Sequence, residues 1–149
     1  MRAVCQRVSR ARVLVGGQEA GAIHKGWAVL LGIGRGDDEA AAASLVDRLV
    51  KLRVFEDEAG KMNLSAQEVN AEFLIVSQFT LYADLSRGRR PSFTGAAPPE
   101  IAEPLVDHFV GLLRGCGFTV ATGCFGAMMD VELTNYGPVT ICLDTGEGR

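Results

Sequence analysis

Helical periodicity is scarce in this chain, and that scarcity limits its fold more than any other feature. Only two stretches carry apolar residues at helical spacing. One is opened by Asp37-Asp38-Glu39 and has Ala43, Val46, Leu49 and Val50 on its stripe; the other follows Pro98-Pro99 and has Leu105, Phe109, Leu112 and Leu113. Acidic residues suit the positive start of the first helix, and Asp47 with Lys51 forms an i,i+4 pair on it. Pro104 predicts a start or a kink near 104 in the second, which Gly115 and Gly117 end. The rest reads as strands: 2–8, 11–15, 18–23 after Gly16-Gly17, the apolar runs 27–33 and 73–76, then 118–121, 128–134 and 139–143. Residues 56–61 form a polar turn and 84–97 a loop rich in Arg, Gly and Ser. This pattern predicts an α+β fold in a single domain spanning 1–149, with two main helices and a largely antiparallel, barrel-like sheet.

A chain of 149 residues is long enough for a real core. Its formal net charge of −3 argues against broad coating of nucleic acid but permits a local contact with one RNA end. Cys5, Cys116, Cys124 and Cys142 form no C-x-x-C pair, and His24 and His108 sit at no ligand-like spacing, so no metal and no cofactor are expected. Buried reduced thiols in a cytosolic protein are the simpler reading. The first residues contain no apolar leader core, and no apolar run approaches the roughly 20 residues of a membrane span, so a cytoplasmic location is expected.

Four motifs carry possible chemistry, each with an ordinary alternative. Gly32-x-Gly34-x-Gly36 before a helix resembles a dinucleotide loop. Its last glycine precedes Asp37-Asp38, which would repel a pyrophosphate, and the second half lacks β–α–β alternation, so a structural turn is the better reading. Ser77-Gln78-Phe79-Thr80-Leu81 brings two hydroxyls, an amide and a ring to the end of a buried strand. That is an ordinary strand end or a site of hydrogen bonds and stacking, because a serine nucleophile needs a base and neither histidine is placed to be one. Asn135-Tyr136-Gly137-Pro138 is a hairpin turn or, if the X–Pro bond is cis, a rigid pair of carbonyls. Arg87, Arg89 and Arg90 fall within four positions, either as a solvated loop or as a grip on phosphates.

Together, Ser77-Gln78-Phe79-Thr80-Leu81 and Asn135-x-Gly137-Pro138-Val139-Thr140 resemble the paired signatures of D-aminoacyl-tRNA deacylases. The similarity runs nearly end to end. It includes the stretch from Met1 through Arg7-Val8, the run 53–63, Tyr82-Ala83-Asp84, residues 88–93, Ala102 to Leu105, and 122–127 with Met129. Tyr136 stands at the variable position of the second signature, where the family is often acidic.

The resemblance implies an esterase that frees tRNA from D-amino acids, acting as a homodimer with two composite sites. Ser77, Gln78, Phe79 and Thr80 of one subunit would hold the 3′-terminal aminoacyl-adenosine, and Gly137 and Pro138 of the other would exclude an L side chain by clash. Arg7 would support that loop, Met129 would line the pocket, and Arg87, Arg89 and Arg90 would contact phosphates. Glycyl-tRNA, with hydrogen on both sides, would also be cut. Thr80 is expected to position the substrate, the rival being a Thr80 nucleophile. A non-catalytic RNA-end binding module and a general serine esterase are the other classes left open.

Overall fold

The computed structural model describes residues 1–146. Strand β1 (Arg2–Val15) runs unbroken through both β-rich stretches near the start and is the spine of the sheet. One of its edges pairs antiparallel with β8 (Asp130–Asp144). The other edge is shared: residues 2–8 pair with β3 (Gly26–Gly32) and 11–15 with β2 (Gln18–Ile23), both antiparallel. Beyond β3 the sheet turns parallel, through β6 (Glu72–Ser77) to β7 (Val120–Thr122). Parallel neighbours need long crossovers, and α1 (Glu39–Lys51) and α2 (Pro99–Gly115) lie on them. The second half therefore does contain a β–α–β unit, contrary to expectation. At three residues, β7 is too short to show a period. A small hairpin, β4 (Phe55–Glu56) with β5 (Met62–Leu64), has the polar 57–61 turn at its tip.

The sheet nearly closes on itself where β2 approaches β7. A Cβ on Gly21 would lie 2.7 Å from the Thr122 carbonyl oxygen, so only glycine permits this approach. Two cores result. The larger joins one sheet face to the helices and contains Ala3, Cys5, Trp27, Phe73, Ile75 and Phe109; the smaller fills the barrel with Val8, Ala11, Val13, Ala28, Leu74 and Val76.

Strand β1 serves both cores, one with each of its faces. Residues 3 and 5 face the helices, whereas 8, 11 and 13 face the barrel. A bulge at Ser9 shifts the phase between Val8 and Ala11 so that both keep to the barrel side: Val8 opposes Asn135 and Arg10 opposes Thr134, so one extra residue stands on β1. Strand β8 shifts phase at the same level by another device. Gln6 opposes Thr140 and Val8 opposes Asn135, leaving residues 136–139 outside the ladder, with Tyr136, Gly137 and Pro138 as an exposed corner and Val139 buried. The expected turn between two strands is thus a bulge within one strand, because β1 continues opposite it and holds both halves.

The helices differ from expectation in phase. Asp38 caps α1, its carboxylate accepting from the Ala41 N–H at 2.9 Å, and the buried stripe is Ala42, Leu45, Val46 and Leu49. Ala43 is exposed and Val50 half-buried. Helix α2 starts with Pro99 at its first position, and Pro104 lies inside it on the exposed side. Leu105, Phe109 and Leu113 are buried with Ala102, Val106 and Val110, while Leu112 is half-buried. Only Cys5 is a buried thiol. Cys116 caps α2, Cys124 lies in a loop and Cys142 is on the outer strand β8, all exposed.

Candidate active site

Strand β6 lies between β3 and β7, which is why Phe73 to Val76 are apolar and buried on both faces. Its pairing continues one residue past the strand, where the Gln78 N–H donates to the Leu31 carbonyl at 2.8 Å. The chain then turns through a single 3₁₀ turn, Phe79–Tyr82, and leaves the sheet. Ser77 and Gln78 are half-buried there, whereas Phe79 and Thr80 are exposed. The Gln78 side-chain amide donates to Thr80 Oγ1. Phe79 is 58% exposed, and its ring meets Phe93 edge-on with centroids 5.0 Å apart. No histidine approaches. His24 Nα donates to Glu72 Oε2 (2.7 Å) at the opposite end of β6, roughly 16 Å from Ser77 at a strand's rise per residue, and His108 is on α2.

The 3₁₀ turn is seated by Tyr82, a residue the sequence reading did not single out. Its ring lies on Gly34, where a Cβ would come within 2.5 Å of the hydroxyl, and its hydroxyl donates to Asp37 Oδ2 at 3.3 Å. Burial first, and the Asp37 carboxylate next, hold the Tyr82 pKa above its ordinary value, so it remains a donor. Arg2 stacks on the same ring at 4.7 Å and donates to the Leu81 carbonyl at 3.1 Å. Asp37 also accepts from the Gly34 N–H and the Met1 ammonium, each at 2.6 Å. The glycine run is thus a structural turn beneath an aromatic ring. Gly32 and Gly34, two residues apart at the exit of β3, make room for this ring, and that spacing is the trace it leaves in the sequence.

The second constellation surrounds the corner of β8. Its Gly137–Pro138 bond is cis, and Gly137 has φ +140°, a left-handed value that favours glycine. Arg7, only 3% exposed, braces the corner from below: Nε donates to the Tyr136 carbonyl at 2.8 Å and Nη1 to the Val54 carbonyl at 2.6 Å. Asn135 closes the loop, its Oδ1 accepting from the Val139 N–H at 2.8 Å and its Nδ2 donating to Thr140 Oγ1 at 3.1 Å.

Arg87, Arg89 and Arg90 are exposed on a loop closed at its base by a double hydrogen bond between Asp84 and Ser92, 2.8 and 2.9 Å long. That base follows the 3₁₀ turn, and Phe93 joins it to Phe79. Met129 is half-buried against the barrel core. Its sulfur lies where a Cβ on Gly123 would come within 2.5 Å, and the Gly123 N–H donates to the Ile75 carbonyl, two residues before Ser77. The fold thus gathers Ser77, Gln78, Phe79, Thr80 and the base of the arginine loop at one end of the parallel strands. Gly137, Pro138 and Arg7 form a separate cluster. Gly137 and Pro138 lie three strand spacings away, across β8, β1, β3 and β6, which is roughly 14 Å measured through the sheet; Arg7, on β1, lies two spacings away at the level of Phe73, four residues before Ser77.

The family model for D-Tyr-tRNA(Tyr) deacylase matches residues 4–144. The chain belongs to the D-aminoacyl-tRNA deacylase family. It is 60% identical over 145 residues to the D-aminoacyl-tRNA deacylase of Roseiflexus sp. (strain RS-1), covering 97% of this chain and 94% of that one. It is 59% identical to the corresponding protein of Symbiobacterium thermophilum, covering 97% and 96%. Among solved structures, one titled "c-Myc DNA Unwinding Element Binding Protein" superposes with a TM-score of 0.91 at 43% identity, over 97% of this chain and 98% of that one. A "probable eukaryotic D-amino acid tRNA deacylase" shares the fold, with a TM-score of 0.80 at 18% identity over 95% and 97%. As a member of this family the chain is an ester hydrolase acting on D-aminoacyl-tRNA.

Proposed function

We propose that the enzyme works as a homodimer in which each site is built by two subunits and serves chiral proofreading of charged tRNA in the cytoplasm. The observation that carries this reading is the distance just described. The strand end and the braced corner lie on different parts of one subunit, so a bound aminoacyl ester meets both only when a second copy supplies the corner. The outer edge of β8, which pairs only with β1 among the described residues, supports the same reading. A long open edge is an invitation to pairing.

In this site the 3′-terminal aminoacyl-adenosine lies against Ser77, Gln78, Phe79 and Thr80 of one subunit, and the partner's corner faces the α-carbon. A D-residue points only hydrogen at the Gly137 and Pro138 carbonyls. An L-residue points its side chain there and clashes, so selectivity comes from exclusion. Glycine, with hydrogen on both sides, is hydrolysed as well. Arg7 braces the corner, Met129 packs at the pocket wall, and Arg87, Arg89 and Arg90 grip acceptor-stem phosphates.

The chemistry is attack of water on the ester carbonyl. The Phe79 and Thr80 N–H groups stabilise the developing oxyanion, a contribution of about 10²–10³ in rate per donor. The neighbouring ribose 2′-hydroxyl orients the water, and Thr80 positions the ester. The test compares D-tyrosyl-, L-tyrosyl- and glycyl-tRNA side by side and measures the oligomeric state by sedimentation. Hydrolysis of the D- and glycyl-esters by a dimer, with the L-ester spared by about 100-fold or more (roughly 2.8 kcal/mol at 1.4 per tenfold), is the expected result. Equal cleavage of the two tyrosyl esters, or full activity in a monomer, refutes it.

A further inference from the structure

We propose that Tyr136 and Glu56 are positioning residues that lock the Gly137–Pro138 corner through Arg7, and thereby set the enzyme's preference for the D-ester; this rests on the chiral role proposed for that corner. Arg7 is buried and positively charged, and its two backbone acceptors are neutral. Such a charge needs a counter-charge nearby. Among the described residues one carboxylate provides it: Glu56 Oε1, 3.7 Å from Nη2.

Glu56 belongs to the β4–β5 hairpin, a separate element from the corner, and Tyr136 joins the two. The Tyr136 ring covers the Arg7 guanidinium at 5.0 Å from its centroid, a cation–π distance, and its hydroxyl donates to Glu56 Oε2 at 3.3 Å. The three side chains therefore form a closed cycle. Arg7 holds the carbonyl of Tyr136, the Tyr136 ring covers Arg7, and Glu56 binds both. The first corner residue is thus fixed by its carbonyl and its ring at once, and the direction of the following Gly137 carbonyl depends on that fixation.

Opening the cycle should loosen the corner without unfolding the chain, because Tyr136 and Glu56 are both exposed side chains. The experiment uses Tyr136→Ala, Glu56→Ala and Tyr136→Phe in the full-length enzyme. It reads kcat/KM for D- and L-tyrosyl-tRNA and hydrogen exchange at the Val139 amide. Both alanine variants should lower the D-to-L ratio and speed exchange, each by about tenfold, the effect of one hydrogen bond to a charged group. Tyr136→Phe keeps the ring over Arg7 but loses the hydroxyl bond to Glu56, and should fall between wild type and Tyr136→Ala on both measures. An unchanged ratio in the alanine variants of a selective enzyme overturns the proposal, whatever happens to exchange or melting temperature. If the wild type itself fails to discriminate, the chiral reading falls, and exchange alone decides: faster exchange upholds the lock, and unchanged exchange refutes it.

Discussion

The Thr80 hydroxyl oxygen already accepts the Gln78 amide, a group that can donate a proton but not remove one. Among the described residues no histidine or carboxylate is hydrogen-bonded to it, so nothing activates it for attack. Thr80→Ala should therefore retain hydrolysis of D-tyrosyl-tRNA within about tenfold of wild type, whereas loss of a true nucleophile costs on the order of 10⁴–10⁶. Single-turnover kinetics make the distinction. A covalent acyl group on Thr80, found by mass spectrometry of the quenched reaction, would reverse the assignment. Cys5 is equally unsuited to chemistry: burial, and then the neighbouring Cys142, push its thiol up to about 12, so it remains protonated and packs as a small apolar side chain.

Elements rather than residues decide whether the barrel closes, and β2 against β7 is the seam. Gly21→Ala places a Cβ 2.7 Å from the Thr122 carbonyl oxygen and 3.2 Å from the Ala121 Cβ, so one strand must move. Overpacking of this kind costs about 1–3 kcal/mol, which denaturant unfolding should register as a lower midpoint with an unchanged slope. This seam was invisible in the sequence, because Gly21 sits among residues that read only as a strand. What local period and punctuation determine was legible: both helices, the buried runs of β3 and β6, and the presence of Ser77 to Thr80 at a strand end. What depends on pairing across the chain was not. The bulge at Ser9 that merges two short strands, the continuation of β8 through a Gly-Pro step, and the brace of Arg7 under Tyr136 all require a partner strand more than 100 positions away. Pro104 does not start the helix, because the helix already begins at Pro99 and an exposed proline early in a helix packed on its far side is tolerated inside it.

At the scale of the whole molecule, a chain of net charge −3 must bind a polyanion through a small region. In the proposed complex that region is the loop of Arg87, Arg89 and Arg90. Replacing all three with Gln should weaken binding to uncharged tRNA and flatten the log–log salt dependence by roughly 2 units, at about 0.7–0.9 per phosphate contact. Filter binding across a salt series reads both, and an unchanged slope assigns the loop no phosphates. The corner of β8 has a different consequence, in how the family can vary. The four residues that stand clear of the ladder also carry the strand from one core to the other, leaving Leu133 and Val131 in the barrel and Val139 and Leu143 toward the helices. One residue gained or lost between Asn135 and Val139 would turn one of these pairs toward water. The length of this segment is therefore frozen by the architecture while its first side chain is not, so any tuning of selectivity has to come through substitution rather than insertion.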